Sequence, residues 1–289
     1  MRMSTRPQVR GASVAKDEVS TVDLWRTPVL SRLADVLVPA FGRLTVTTHP
    51  DCDLAPGSIL AANHTSLADP AIVIAALHRL GVEPVVMATA GLWRVPVLGR
   101  RLTREGHIPV HRGDRHASAA LDVAARALEQ GRHLLIYAEG GLPRRRDAAE
   151  APPGDFRTGL ARLAERTGAP VVPVGQAGAR RVTSGGTVKQ IAGLVTSPLR
   201  RPEFHVHVAA PVVLTGGSAV ATTLARTAVT SAWRTAAAHL DEPAALVAQP
   251  RPAASGRCLP TTEPRPAPSR ALTARGSGRS VVRSGRGGA

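Results

Sequence analysis

The stretch Ile59-Leu60-Ala61-Ala62-Asn63-His64-Thr65-Ser66-Leu67-Ala68-Asp69-Pro70 runs from a short apolar segment through a polar turn to a proline. Four apolar residues closed off by polar ones predict a buried strand. Asp69-Pro70 predicts a helix start, because a carboxylate suits the N-cap and proline's missing N–H costs nothing in the first turn. Strand, turn and helix in that order open an α/β unit. The same residues set an imidazole and a carboxylate five positions apart at the strand's end, the minimal equipment for taking a proton from an alcohol.

Downstream of this stretch the alternation continues. Short β-rich runs near 83–88, 107–111, 133–138, 170–175 and 204–213 join the first strand near 58–62, and helical patterns fall near 70–80, 114–130, 156–168 and 218–241. The expected fold is α/β, with a largely parallel central sheet flanked by helices.

Upstream, Leu24, Trp25, Val29, Leu33, Val36, Leu37 and Phe41 recur at three and four residues, a helical stripe bracketed or kinked by Pro28 and Pro39. Two readings of the stripe stand: a helix lying in a bilayer interface with Trp25 at headgroup depth, or an ordinary helix packed on the domain. From Pro250 onward Pro, Arg, Ser, Gly and Ala dominate, too poor in large apolar groups to offset ordering entropy. The expected organisation is a disordered N-terminus over 1–22, an amphipathic helical segment over 23–55 for which the membrane-associating and the packed reading both stand, the main domain over 56–248 and a disordered basic tail over 249–289.

The 289 residues carry a formal net charge of +16, and arginine supplies nearly all of it, since lysine occurs only at positions 16 and 189. Residues 249–289 hold eight arginines against one glutamate, and residues 1–22 add a smaller excess, so the body shares the remaining positive charge. That excess predicts attraction to polyanions: nucleic acid, acidic lipid or phosphorylated substrates. With aromatics at 2% the chain lacks stacking platforms for nucleic acid, and no nucleic-acid motif is present. Cys52 and Cys258 are too few and too far apart for a disulfide framework or a zinc site. No run of about 18 apolar residues and no signal-peptide stretch occurs, which gives the expectation of a cytoplasmic protein.

Three polar signals close three of the expected strands: His64, Arg112 after His107-Ile108-Pro109-Val110, and Glu139-Gly140-Gly141 after Leu134-Leu135-Ile136-Tyr137. Ligands of open α/β sheets bind beyond the strands' carboxyl ends, where such groups converge. His64 and Asp69 face different sides of an ideal helix, so they meet only across a turn at 65–68. Capping alone would also explain Asp69, and both roles stay open for it. Ser66 lacks a nucleophile elbow and reads as a turn hydroxyl. An arginine at Arg112 suits a phosphate, as do the glycine turn and the run Arg144-Arg145-Arg146. His107 and His111 are read as surface or packing residues.

This ordered set resembles the 1-acylglycerol-3-phosphate (lysophosphatidate) acyltransferase family of glycerolipid acyltransferases. That family shows a His-x4-Asp block, here His64 to Asp69 preceded by Asn63, and a second block ending in arginine, here Gly106 to Arg112. Its third block, Phe-Pro-Glu-Gly-Thr-Arg-Ser, corresponds to Tyr137–Pro143, and its fourth, a proline-containing apolar strand, to Val171-Val172-Pro173-Val174. The resemblance implies an acyltransferase domain with His64 as general base and Asp69 as its orienting partner. It implies Arg112 as phosphate ligand, and Asn63, Glu139, Gly140 and Gly141 about the acceptor site.

It further implies acyl-CoA or acyl-carrier protein as co-substrate with no bound cofactor and no metal, a lysophospholipid acceptor, and peripheral association with the anionic inner face of the cell membrane. One departure bears on the acceptor. Gly141, Leu142 and Pro143 replace the family's Thr, Arg and Ser, and the nearest arginine is Arg144. Either Arg144 compensates, or the acceptor is another lyso-lipid such as an amino-acid lipid. A reading from another class is a non-catalytic protein that binds anionic lipid or nucleic acid through its arginines.

Overall fold

The structure is a computed structural model, and it describes residues 29–111, 117–142 and 149–242. Its centre is a seven-stranded sheet built from β1 (Arg43–Thr48), β2 (Ile59–Ala62), β3 (Val85–Thr89), β4 (Ile108–Val110), β5 (Leu134–Tyr137), β6 (Val171–Ala177) and β7 (Glu203–Val208), in the order β1-β7-β6-β2-β5-β3-β4. The helices are α1 (Val29–Phe41), α2 (Asp69–Arg79), α3 (Pro96–Arg104), α4 (Ala117–Glu129), α5 (Gly159–Thr167), α6 (Thr187–Arg200) and α7 (Gly217–Ala238).

β2 lies at the middle of the sheet and all four of its residues are fully buried. Successive side chains of a strand point to opposite faces, so a strand covered on both sides must be apolar throughout. Ile59 and Ala61 enter the core shared with α4, α5 and α7, whereas Leu60 and Ala62 enter the one shared with α1 and α2. Gly175 in β6 admits a close helix contact: a Cβ there would stand 2.1 Å from the backbone carbon of Ala232 in α7. Every neighbouring pair is parallel except β6 and β7. The expected α/β fold with a largely parallel sheet is therefore the one observed.

The structure differs from the sequence reading in four places. The segment 23–55 is not helical throughout, because residues 43–48 form β1 and pair with β7 at the sheet's edge. Leu44 and Val46 pack toward the core, and the intervening threonines bond histidines of β7: Thr45 Oγ1 lies 2.7 Å from His205 Nδ1, and Thr47 Oγ1 2.9 Å from His207 Nδ1. The strand expected over 204–213 ends at Val208, after which Val212 turns back to bridge Val171 antiparallel. Periodicity did not suggest α3 or α6. α1 itself continues through Pro39 in its last turn rather than stopping there. Residues 1–28 and the basic tail lie outside the described residues, as do Trp25 and Pro28.

Candidate active site

Register lines the site up. Ala62 of β2 stands opposite Tyr137 of β5 and opposite Val174 of β6. Two residues further along each parallel strand come His64, Glu139 and Gln176, level with one another at the sheet's carboxyl edge. The sequence expectation of convergence beyond strand ends thus holds for His64 and Glu139.

Residues 65–68 form the turn that the five-residue spacing demanded, and His64 Nδ1 lies 3.0 Å from Asp69 Oδ2. Asp69 does not cap its own helix. Its carboxylate reaches backward, with Oδ2 accepting from the backbone N–H groups of Thr65 and Ser66, the latter at 2.8 Å. Oδ1 accepts from Gln176 Nε2 at 2.8 Å. The carboxylate is wholly buried, and burial pushes its pKa above the ordinary value against the lowering pull of His64 and the two amides. Because a carboxylate accepts, Nδ1 of His64 carries the proton and Nε2 keeps its lone pair. The His64 side chain is 14% exposed.

Around this pair the frame is tightly bonded. Asn63 and Gln176 exchange two hydrogen bonds, Nδ2 to the Gln176 carbonyl at 3.0 Å and the Gln176 N–H to Oδ1 at 2.8 Å. Asn63, fully buried, therefore holds strand ends together instead of lining a substrate pocket. Glu139 accepts from the His64 N–H at 2.8 Å and from the Gly154 N–H at 2.9 Å, and burial raises its pKa. Ser66 is a turn hydroxyl as expected, bonded to Thr183 Oγ1 and, at 3.1 Å, to the Thr183 carbonyl. Arg180, buried, donates to the Thr65 carbonyl at 3.0 Å and fixes the turn from below.

The Tyr137 ring tilts against the His64 ring with centroids 4.6 Å apart. Its buried hydroxyl has no hydrogen-bond partner, and burial together with the Asp69 charge pushes its pKa well up. Gly140 adopts a positive φ of 69°, and a Cβ on it would stand 2.9 Å from Arg157 Nε. The guanidinium of Arg157, an exposed residue, therefore lies directly over the glycine turn of the third block. Gly141 follows, half-buried. Arg112 and Arg144 fall outside the described residues. His107 behaves as a packing residue, its Nδ1 accepting the Val86 N–H at 3.0 Å.

Gln176, Arg157, Arg180 and Tyr137's orphan hydroxyl were not anticipated from the sequence as site groups. Gln176 carried one usable signal, a long amide at the end of the otherwise apolar run Val171–Gly175. No group of three or more His, Cys, Asp or Glu able to hold a metal occurs among the described residues.

A family model described as Acyltransferase matches residues 43–176, the span that contains β1, the His64 turn, Glu139 and Gln176. These residues form an acyltransferase domain. The fold agrees: the crystal structure of the 1-acyl-sn-glycerophosphate (LPA) acyltransferase PlsC from Thermotoga maritima superposes with a TM-score of 0.54 at 17% identity, covering 70% of this chain and 76% of that one. No curated protein matches the chain. The Acyltransferase match spans all four sequence blocks that carried the resemblance, and the fold agrees with it.

Proposed function

We propose that this acyltransferase moves a fatty acyl group from a thioester, acyl-CoA or acyl-carrier protein, to the free hydroxyl of a lysophospholipid, with 1-acylglycerol-3-phosphate giving phosphatidate. The observation that carries the reading is the His64 Nδ1 to Asp69 Oδ2 contact at 3.0 Å, backed by further donors on the same carboxylate. Nε2 of His64 accepts the hydroxyl proton as the acceptor oxygen bonds to the thioester carbonyl carbon. Asp69 stabilises the imidazolium that results. Collapse of the tetrahedral intermediate breaks the C–S bond, and the imidazolium returns the proton to the departing thiolate. An ester and a free thiol remain.

Arg157 supports an anionic acceptor. It stands over Gly140, in the block from which the family's arginine is missing, and a guanidinium there can grip two phosphate oxygens. Both donors are anionic as well, in keeping with the chain's positive charge. The enzyme on this reading works at the cytoplasmic face of the membrane, where the acceptor resides.

The test is a panel of lyso-lipid acceptors, each incubated with acyl thioester, with the released thiol counted and the acylated product identified by mass spectrometry. Phosphatidate formation is the expected result, with Arg157→Ala raising the acceptor KM at least tenfold and leaving the donor KM alone. Acylation of an amino-acid lipid in place of lysophosphatidate would move the acceptor assignment. Absence of thiol release with every acceptor would end the enzymatic reading.

A further inference from the structure

α6 is mounted the wrong way round for a surface helix. At about 100° per residue, Val188, Ile191, Val195 and Leu199 share one arc, and Gln190, Gly193 and Ser197 lie on the other side. A helix on a globular body ordinarily buries its apolar arc. Here Ser197 is the one buried residue of the helix, and Val188, Ile191, Val195 and Leu199 are 83%, 58%, 71% and 91% exposed. The inner side is held by close approach and polar bonds. A Cβ on Gly193 would stand 2.1 Å from the Val182 carbonyl, and Gln190 Nε2 donates to the Gly185 carbonyl at 2.8 Å.

α1 packs beside α6 and is inverted in the same manner. It buries Ser31, Ala34 and Val38 and turns outward Leu33, Val36 and Leu37. α1 is packed on the domain through Ala34 and Val38, and these three residues stay outside that contact. Two adjoining helices with their large apolar groups facing water form a patch that soluble bodies do not keep bare.

Charge selects the occupant. Residues 179–202 contain five basic residues and no Asp or Glu. Arg180 is buried and Arg181 pairs with Glu242 at 2.7 Å, while Arg200 and Arg201 are exposed at the carboxyl end of the helix, Arg200 donating to the Gly193 carbonyl at 2.9 Å. An apolar arc bordered by cations matches acyl chains beneath anionic headgroups. A second copy of this chain would instead bring like charges together. The helix is also tied to the reacting turn: Thr183, four residues before α6 begins, is bonded to Ser66, and the adjoining Leu67 is 63% exposed.

We propose that the outward faces of α6 and α1 seat the enzyme in the interface of an anionic bilayer, holding the His64 turn at the depth where a lyso-lipid presents its hydroxyl. This rests on the lipid-acceptor reading above, and its deciding readout, flotation, needs no turnover. The full chain is floated with phosphatidylglycerol-rich vesicles or with phosphatidylcholine vesicles. Val188→Glu with Val195→Glu is compared with a control pair of equal charge on α7, Val220→Glu with Leu224→Glu, whose parent side chains are 53% and 45% exposed.

Parent and control should bind the anionic vesicles, and the α6 pair should lose binding at least tenfold while keeping its circular dichroism and its rate on a water-soluble short-chain acceptor. Flotation of the α6 pair equal to the parent's would overturn the proposal. So would a parent dimer that the α6 pair splits to monomers in vesicle-free buffer, which would assign the face to a second copy. Vesicle binding without any thiol release would leave this surface standing and remove the acyl-transfer reading instead.

Discussion

Replacing Gln176 by Met keeps the length of the side chain and removes its amide. Two hydrogen bonds go with it, Nε2 to Asp69 Oδ1 at 2.8 Å and Nε2 to Thr65 Oγ1 at 3.1 Å. Oδ2 of Asp69 keeps His64 and the amides of Thr65 and Ser66. Oδ1 is left in a fully buried place with the one donor described for it gone. Stranding a buried acceptor costs about 1–3 kcal/mol, and here the cost falls on the charged form.

Two effects should follow at the bench. In urea, Gln176→Met should lose about 1–3 kcal/mol of unfolding free energy at neutral pH. In a thiol-release assay, the acid limb of the kcat profile should move up by about one to two pH units, since about 1.4 kcal/mol corresponds to one. The carboxylate is already raised by burial, so the variant protonates it sooner as pH falls. The cycle closes with Asp69→Asn, in whose background the same Gln176→Met change should cost only a neutral hydrogen bond, about 1 kcal/mol. Equal losses in both backgrounds, with an unmoved acid limb, would refute the reasoning that Gln176 acts through the Asp69 charge.

Tyr137→Phe removes a buried hydroxyl that has no partner and should raise unfolding free energy by about 1 kcal/mol, read from the urea midpoint at constant m. The acid side of the stability profile should carry the mark of His205. That residue is fully buried between Thr45 and Thr47 and stacked on His239 with centroids 3.8 Å apart. Burial, with His239 and His207 nearby, lowers its pKa from 6.5 to about 4. Its folded value lies below the unfolded one, so its contribution is complete above pH 6.5 and is lost as pH falls toward 4, up to about 3 kcal/mol in all. Urea titrations across that window should show the slope, and His205→Gln should flatten it.

Most of the sheet was legible because strands covered on both faces are apolar, as β2 is throughout, β5 up to Tyr137 and β6 up to Gly175. Strand direction was not legible: Glu203–Val208 alternates as a strand should, but nothing local says that it runs antiparallel to β6. β1 was hidden behind a helical stripe that ends just before it. α6 was hidden for a different reason, since an apolar arc in sequence does not announce whether the body or the surroundings cover it.

At the site, His64 and Asp69 were readable because spacing and a turn suffice to join them. Gln176 was not, because it lies 107 residues from Asp69 and meets it only through the register of β2 with β6. Asn63 was readable as part of the block but not as a strut, since its partners are the backbone atoms of another strand.

The account stands on Nε2 of His64 accepting a proton from a lipid hydroxyl. The measurement that meets it most directly is acceptor-dependent thiol release by His64→Ala and His64→Gln beside the parent, with circular dichroism confirming the fold. Both variants should fall about 10²–10⁴-fold in kcat, with the acceptor KM little changed. Rates within a few-fold of the parent in a folded variant would contradict it.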